Sequence, residues 1–317
     1  MGFFSSIFGT PQTSEEGKFD TLRDDGVRAM QMGELPYAEK CLKAALELRD
    51  DDKTKAFLAE VYLHMNQYDA ALPLLEVLCA AHPDDKELNL LWAQTLGKLE
   101  KWEKQRDVCA ALLKTDATEA RALYLSAQAE KGLGDYLTAI VHLTQCTTLR
   151  PDFHSARLLR AQVLEAMGQW NEVLADTEAL VETNPENEEY QFSHARALSH
   201  VGREDEAIQQ FEAVLQLNPF NREATLCLGR LYESTSRRDK ALKLYTEAID
   251  LMPDFAEAYK ARGGVKHQLK DDAGAAEDLK RSLELAPEKA AELDGEYTNV
   301  ENEMNPVSYT HLTLPTK

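Results

Sequence analysis

The residues of this chain best suited to do chemistry are five cysteines, eight histidines and 55 acidic side chains, and their spacing argues against a reaction centre. Cys41, Cys79, Cys109, Cys146 and Cys227 lie far apart, with no Cys-x-x-Cys pair and an odd total. A disulfide framework or a zinc site needs thiols that come in pairs, so these read as reduced thiols of a cytosolic protein. Cys79, Cys109 and Cys146 sit among apolar neighbours, where packing accounts for them. His194 and His200 are six apart, which does not bring two ligands to one helix face. Asp50-Asp51-Asp52 resembles half a calcium loop but lacks the glycine at its sixth place, and reads instead as a turn cap. A glycine-rich phosphate loop and a Gly-x-Ser-x-Gly elbow are both absent. We therefore expect no catalytic, metal or cofactor site, and the carboxylates read as a solvated skin. One pattern remains, and its chemistry is recognition. Gln94, Gln128, Gln162, Arg196 and Arg230 recur every 34 residues, each four residues after Leu90, Tyr124, Leu158, Phe192 or Leu226. Amide side chains donate to and accept from a peptide backbone whatever its sequence.

The elements that must carry this pattern follow from the same period. Pro83, Pro151, Pro185, Pro219, Pro253 and Pro287 are 68, 34, 34, 34 and 34 apart, with Ala117 in the skipped slot. A fixed 34-residue period marks a stacked repeat array. Twenty-four residues before each slot stand Ala59, Ala93, Ala127, Ala161, Ala195, Gly229 and Gly263, with Gly26 in a first unit one residue shorter. Small residues at one fixed place mean that two helices cross closely there. Twelve before each slot the residues are Ala38, Ala71, Gln105, Ala139, Val173, Ala207, Ala241 and Ala275. Between the two small positions lies a turn signal such as Gly134 with Tyr136 or Gly168 with Trp170, and Asn66 with Tyr68 is a near match. Glycine suits the left-handed end of a first helix, the aromatic opens a second, and the proline stops it. Each period is predicted to be helix, short turn, helix.

This pattern resembles the tetratricopeptide repeat, whose 34-residue helical hairpin carries small, alanine, large-apolar and proline positions in this order. The best match runs from Arg222 to Phe255, with Leu228-Gly229, Tyr232, Ala241, Tyr245, Ala248 and Pro253. Gln105, Ala117 and Glu130 weaken the third and fourth units, and Val173 and Thr177 the fifth. The resemblance implies an all-α solenoid of eight hairpins, at residues 19–51, 52–85, 86–119, 120–153, 154–187, 188–221, 222–255 and 256–289. It further implies a right-handed superhelix whose concave wall, lined by the first helices, grips a partner's peptide or helix. On that wall it would place Gln94, Tyr124, Gln128, Gln162, Phe192, Arg196 and Arg230. Two readings of these residues stand side by side. In one, the aromatic and leucine stripe packs between neighbouring helices and the glutamines record duplication of one ancestral unit; in the other, they form a groove. Co-chaperones of this family hold a C-terminal carboxylate with a set of Lys, Asn and Arg across three units. Arg23, Val27, Phe57, Glu87 and Leu91 do not supply it here, which argues against capture of a chaperone tail.

Composition bounds the rest. With 35 basic and 55 acidic residues in 317, net charge is 35 − 55 = −20, which argues against a nucleic-acid partner. No apolar run approaches the ~20 residues of a membrane span, so stable insertion is not expected. Residues 1–18 read as a flexible apolar leader. Phe3, Phe4, Ile7 and Phe8 would give only weak membrane adsorption, and Gly2 with Ser6 meets a myristoylation pattern loosely. Residues 290–305 read as an acidic cap for the last hairpin. Residues 306–317 resemble the translated remnant of a sequencing adaptor. The leading expectation is a cytoplasmic, non-catalytic adaptor for a protein or peptide partner, with room for self-association. The alternatives are the targeting half of a larger enzyme cut at its C-terminus and a membrane-peripheral assembly factor.

Overall fold

In the computed structural model, which describes residues 15–287, each period closes into two helices joined by a tight turn. The chain divides after Met167 into two compact units. The first holds α1 (Glu15–Gln31), α2 (Leu35–Leu48), α3 (Asp52–His64), α4 (Tyr68–Ala81) and α5 (Lys86–Lys98). It continues through α6 (Trp102–Thr115), α7 (Ala120–Gly132), α8 (Tyr136–Leu149) and α9 (His154–Ala166). The second unit holds α10 (Trp170–Thr183), α11 (Glu188–His200), α12 (Glu204–Leu217) and α13 (Arg222–Ser234). It ends with α14 (Arg238–Leu251), α15 (Ala256–Gln268) and α16 (Asp272–Leu285). Two details differ from the sequence reading. Helix α1 opens at Glu15, four residues ahead of the expected first unit, and the division falls inside the 154–187 period. The remainder of the apolar leader, the acidic 290–305 segment and the 306–317 tail lie outside the described residues.

The α13–α14 hairpin shows why the sequence folds this way. Asn221 caps α13 by accepting from the Ala224 amide at 2.8 Å, satisfying one of the donors a helix start leaves free. Ala224, Leu228, Leu231 and Tyr232 then fall on one face and are buried. The helix ends where Ser236 turns left-handed, and the Arg237 amide reaches back to the Tyr232 carbonyl at 2.6 Å. Ala241, Tyr245, Ala248 and Ile249 bury the matching face of α14, and Pro253 prevents its continuation.

One left-handed residue recurs in each turn: Gly33, Asn66, Glu100, Gly134, Gly168, Gly202, Ser236 and Lys270. Glycine adopts this conformation freely, whereas a side chain costs about 1–2 kcal/mol there. Lys270→Gly, and separately Ser236→Gly, should therefore stabilise the second unit by about 0.5–1 kcal/mol after the extra chain entropy of glycine is deducted. A urea titration that leaves both midpoints unchanged or lowered would contradict this.

The small residues that the period singled out are all buried at helix crossings. An added Cβ at Gly26 would meet Leu42 Cγ at 2.7 Å. Where the pattern departs from alanine, the structure compensates. Gln105 is fully buried on α6, opposite Gly97, where a Cβ would lie 2.6 Å from its Nε2. Buried Glu130 receives Ser126 Oγ at 3.2 Å and lies 3.0 Å from His142 Nδ1. The core is a chain of local clusters within each unit, each shared by neighbouring helices, as expected of an array that buries apolar surface only against adjacent repeats.

Candidate functional site

Helices α5, α7 and α9 are neighbours in the first unit, as are α11, α13 and α15 in the second, so equivalent positions share a wall within each unit. In the first unit Gln94 is exposed on α5. Gln128, half-buried on α7, uses its Oε1 to accept from Gln105 Nε2 at 3.1 Å. Gln105 has a second polar atom, Oε1, buried without a partner among the described residues. Gln128 is thus tied into packing as well as placed on the wall. Gln162 accepts from Lys131 Nζ at 2.7 Å, bridging α9 and α7, and burial pushes that lysine down from its ordinary value. Tyr124 packs 5.1 Å from the Phe153 ring between two core clusters, and burial raises its phenol. Arg121 on α7 is neutralised: it makes a two-pronged contact with Glu87 at 2.8 and 2.5 Å and reaches Glu119 at 3.3 Å.

The second unit is different. Phe192 on α11 meets Phe211 edge-on at 5.9 Å, and the Arg196 guanidinium lies 5.8 Å over its ring. Arg196 Nη1 is 3.8 Å from Glu223 Oε1 on α13. One helical repeat on, Arg230 is exposed. Arg196, Arg230, Glu223, Leu226 and Cys227 open onto one depression of about 480 Å³ between α11 and α13, with Phe211 and Leu231 as its apolar floor. The structure thus brings Arg196 and Arg230 together, with Phe192 supporting the first of them.

Sequence reasoning did not nominate Glu223, Ser199, His200 or Ser234, although all line the same depression. Their signal was available, since they stand at repeat positions adjoining the arginines on the same helix face. His200 stacks on Trp170 with ring centroids 3.6 Å apart and planes 3° from parallel. His194 is buried instead and lies 3.1 Å from Thr177 Oγ1, its imidazole pushed down by burial.

Among the described residues no three His, Cys, Asp or Glu side chains are placed to hold a metal ion, and no helix is long and apolar enough to cross a membrane. Burial disfavours the thiolate at four of the five cysteines. Burial pushes Cys109 up to about 12 and Cys79 and Cys146 up to about 11, and it raises Cys227 as well. Of the five, only Cys227 is partly exposed. Native chain treated with a maleimide should label first at Cys227, with the other four protected until denaturant is added. Peptide mapping that finds Cys109 or Cys146 modified first would contradict the burial.

Residues 226–290 match the tetratricopeptide repeat family, and residues 99–218 match the bacterial transcriptional activator domain family. Among solved structures the chain is similar to YrrB, described as a TPR protein with an unusual peptide-binding site. The two share 23% identity over 59% of this chain and 97% of YrrB, with a TM-score of 0.53. It is also similar to MamA from Desulfovibrio magneticus RS-1, at 20% identity over 53% of this chain and 95% of that one, with a TM-score of 0.50. No curated protein sequence matches it.

Proposed function

We propose that the chain is a scaffold of tetratricopeptide-type repeats, without catalysis of its own, that holds an extended segment of a partner protein against its first-helix wall. One observation carries the reading: Arg196, Arg230 and Leu226, each at a repeat-equivalent wall position, converge on the depression between α11 and α13. Polar groups that fix a backbone beside an apolar floor that accepts a side chain are what an extended peptide requires. Peptide binding by YrrB is a property of that protein; it supports the reading here because the fold is shared. A protein partner in place of nucleic acid agrees with the charge of −20.

A random-peptide display screen on the full chain tests the proposal, run beside Arg196→Glu and, for the first unit, Gln94→Glu. Gln94 is chosen over Gln128 because the latter also holds Gln105. Peptides enriched on the parent should be lost on Arg196→Glu, with circular dichroism unchanged. Equal enrichment on all three chains would move the site off this wall. No enrichment would overturn peptide holding altogether.

A further inference from the structure

We infer that the depression between α11 and α13 takes an acidic side chain of the partner with an apolar residue beside it; this rests on the peptide-holding reading above and specifies its chemistry. In a chain of charge −20, a carboxylate is repelled by most of the surface, so a local cationic site matters for where it can settle. Two other first-helix arginines are strongly neutralised. Arg121 is gripped by Glu87 and Glu119, and Arg262 is held by the buried Asp278 at 2.8 and 2.7 Å. The α11–α13 depression is lined by two guanidiniums, Arg196 and Arg230, and by the carboxylate of Glu223. Glu223 lies 3.8 Å from Arg196 and is 65% exposed, a loose pair that stabilises little. Arg230 forms no ion pair among the described residues.

The floor adds the second requirement. Leu226, Leu231 and Phe211 present apolar surface within the same 480 Å³, which lowers the local dielectric and strengthens a charge-assisted hydrogen bond to either guanidinium. The Phe192 ring beneath Arg196 restrains that guanidinium before any partner arrives. No asparagine or lysine lines the depression to hold the main chain beside a terminal carboxylate, so the anchor is an internal Asp or Glu. Glu223 competes with it for Arg196.

The test uses the full chain and a display library whose random segment is followed by a linker, so that no peptide offers a free C-terminus. Enriched peptides should carry Asp or Glu beside an apolar residue. The best of them, synthesised with both ends blocked, should bind Arg230→Gln roughly ten- to a hundredfold more weakly, and so should its own Glu→Gln form on the parent chain. Glu223→Gln should instead tighten binding by about two- to fivefold, a gain that a purely structural role for Glu223 would not produce. Arg230→Glu should select Lys or Arg at the same peptide position. Because Arg230 is exposed, these variants leave the core intact. Peptides that enrich without an acidic residue, or that bind Arg230→Gln as well as the parent, would overturn this inference and leave the scaffold reading standing. Binding that appears only in a second library displayed with a free C-terminus would also overturn it. Failure of both libraries to enrich anything would overturn both readings.

Discussion

Asp278→Ala should destabilise the α15–α16 hairpin by about 2–4 kcal/mol. Asp278 on α16 is 4% exposed and receives Arg262 Nε at 2.8 Å, Arg262 Nη2 at 2.7 Å and Lys266 Nζ at 2.8 Å, both cations coming from α15. Removing the carboxylate leaves two like charges side by side with side-chain exposures of only 14% and 21%. Burying a charge without its partner is what makes such a deletion expensive, although the long basic stems can carry their heads partly back to water. The sign with pH follows from the group itself. Burial opposes the charged form of Asp278, but the hydrogen bonds from Arg262 and Lys266 outweigh it and hold the carboxyl below its ordinary value of 3.8. The unfolded chain therefore binds this proton more readily than the folded one. The stabilisation is present above pH 3.8 and lost as pH falls through the lower folded value. Hydrogen exchange on α15 and α16 should show the variant opening faster at neutral pH, with the gap to the parent narrowing in acid. Unchanged protection at neutral pH would contradict the argument. Local exchange is the right readout because a repeat array frays hairpin by hairpin.

Gly229→Ala should cost about 2–3 kcal/mol, and Tyr245→Leu in the same chain should restore most of it. A Cβ on Gly229 would overlap the Tyr245 ring, whose Cε1 stands 2.5 Å from the position it would take. Tyr245 is fully buried, and its hydroxyl donates to Glu233 Oε1 at 3.0 Å, so it cannot swing aside without losing that bond. The chain itself shows the compatible combination: Ala59 with Leu75 and Ala127 with Leu143 occupy the equivalent places of other hairpins, all buried. Tyr245→Leu alone should destabilise by opening space opposite a glycine. A double-mutant cycle in urea should therefore give a favourable coupling of about 2–3 kcal/mol between the two substitutions. Penalties that simply add would show that the pair does not interact as the packing requires.

The sixteen helices of the described residues were legible in the sequence because the signals that make them are local and repeat. Leu228, Leu231 and Tyr232 mark one face of α13, Asn221 marks its start and Pro253 the end of its companion, and nothing distant is needed to read them. Even the turns fell where glycine was expected, although Glu100, Ser236 and Lys270 hold the left-handed place with no glycine to announce it. The helix-crossing geometry there imposes the conformation whatever the residue.

The candidate site was legible only in outline. Repeat position fixed which face Gln94, Gln128, Gln162, Arg196 and Arg230 occupy. It could not say what each touches, because a side chain's partner comes from the next hairpin and changes from repeat to repeat while the backbone does not. Gln128 meets Gln105 because that one period replaced alanine with glutamine, and Gln162 meets a lysine. Arg196 meets a phenylalanine ring and a loosely held glutamate, and Arg230 faces the depression they share. By itself the sequence determined the period, the hairpins and the face on which the glutamines and arginines recur, since backbone geometry repeats with the residues that cap and cross it. Only the tertiary structure decided where the chain divides and which wall residues are spent on packing, because those outcomes depend on contacts between side chains about one repeat apart, where the repeats are least alike.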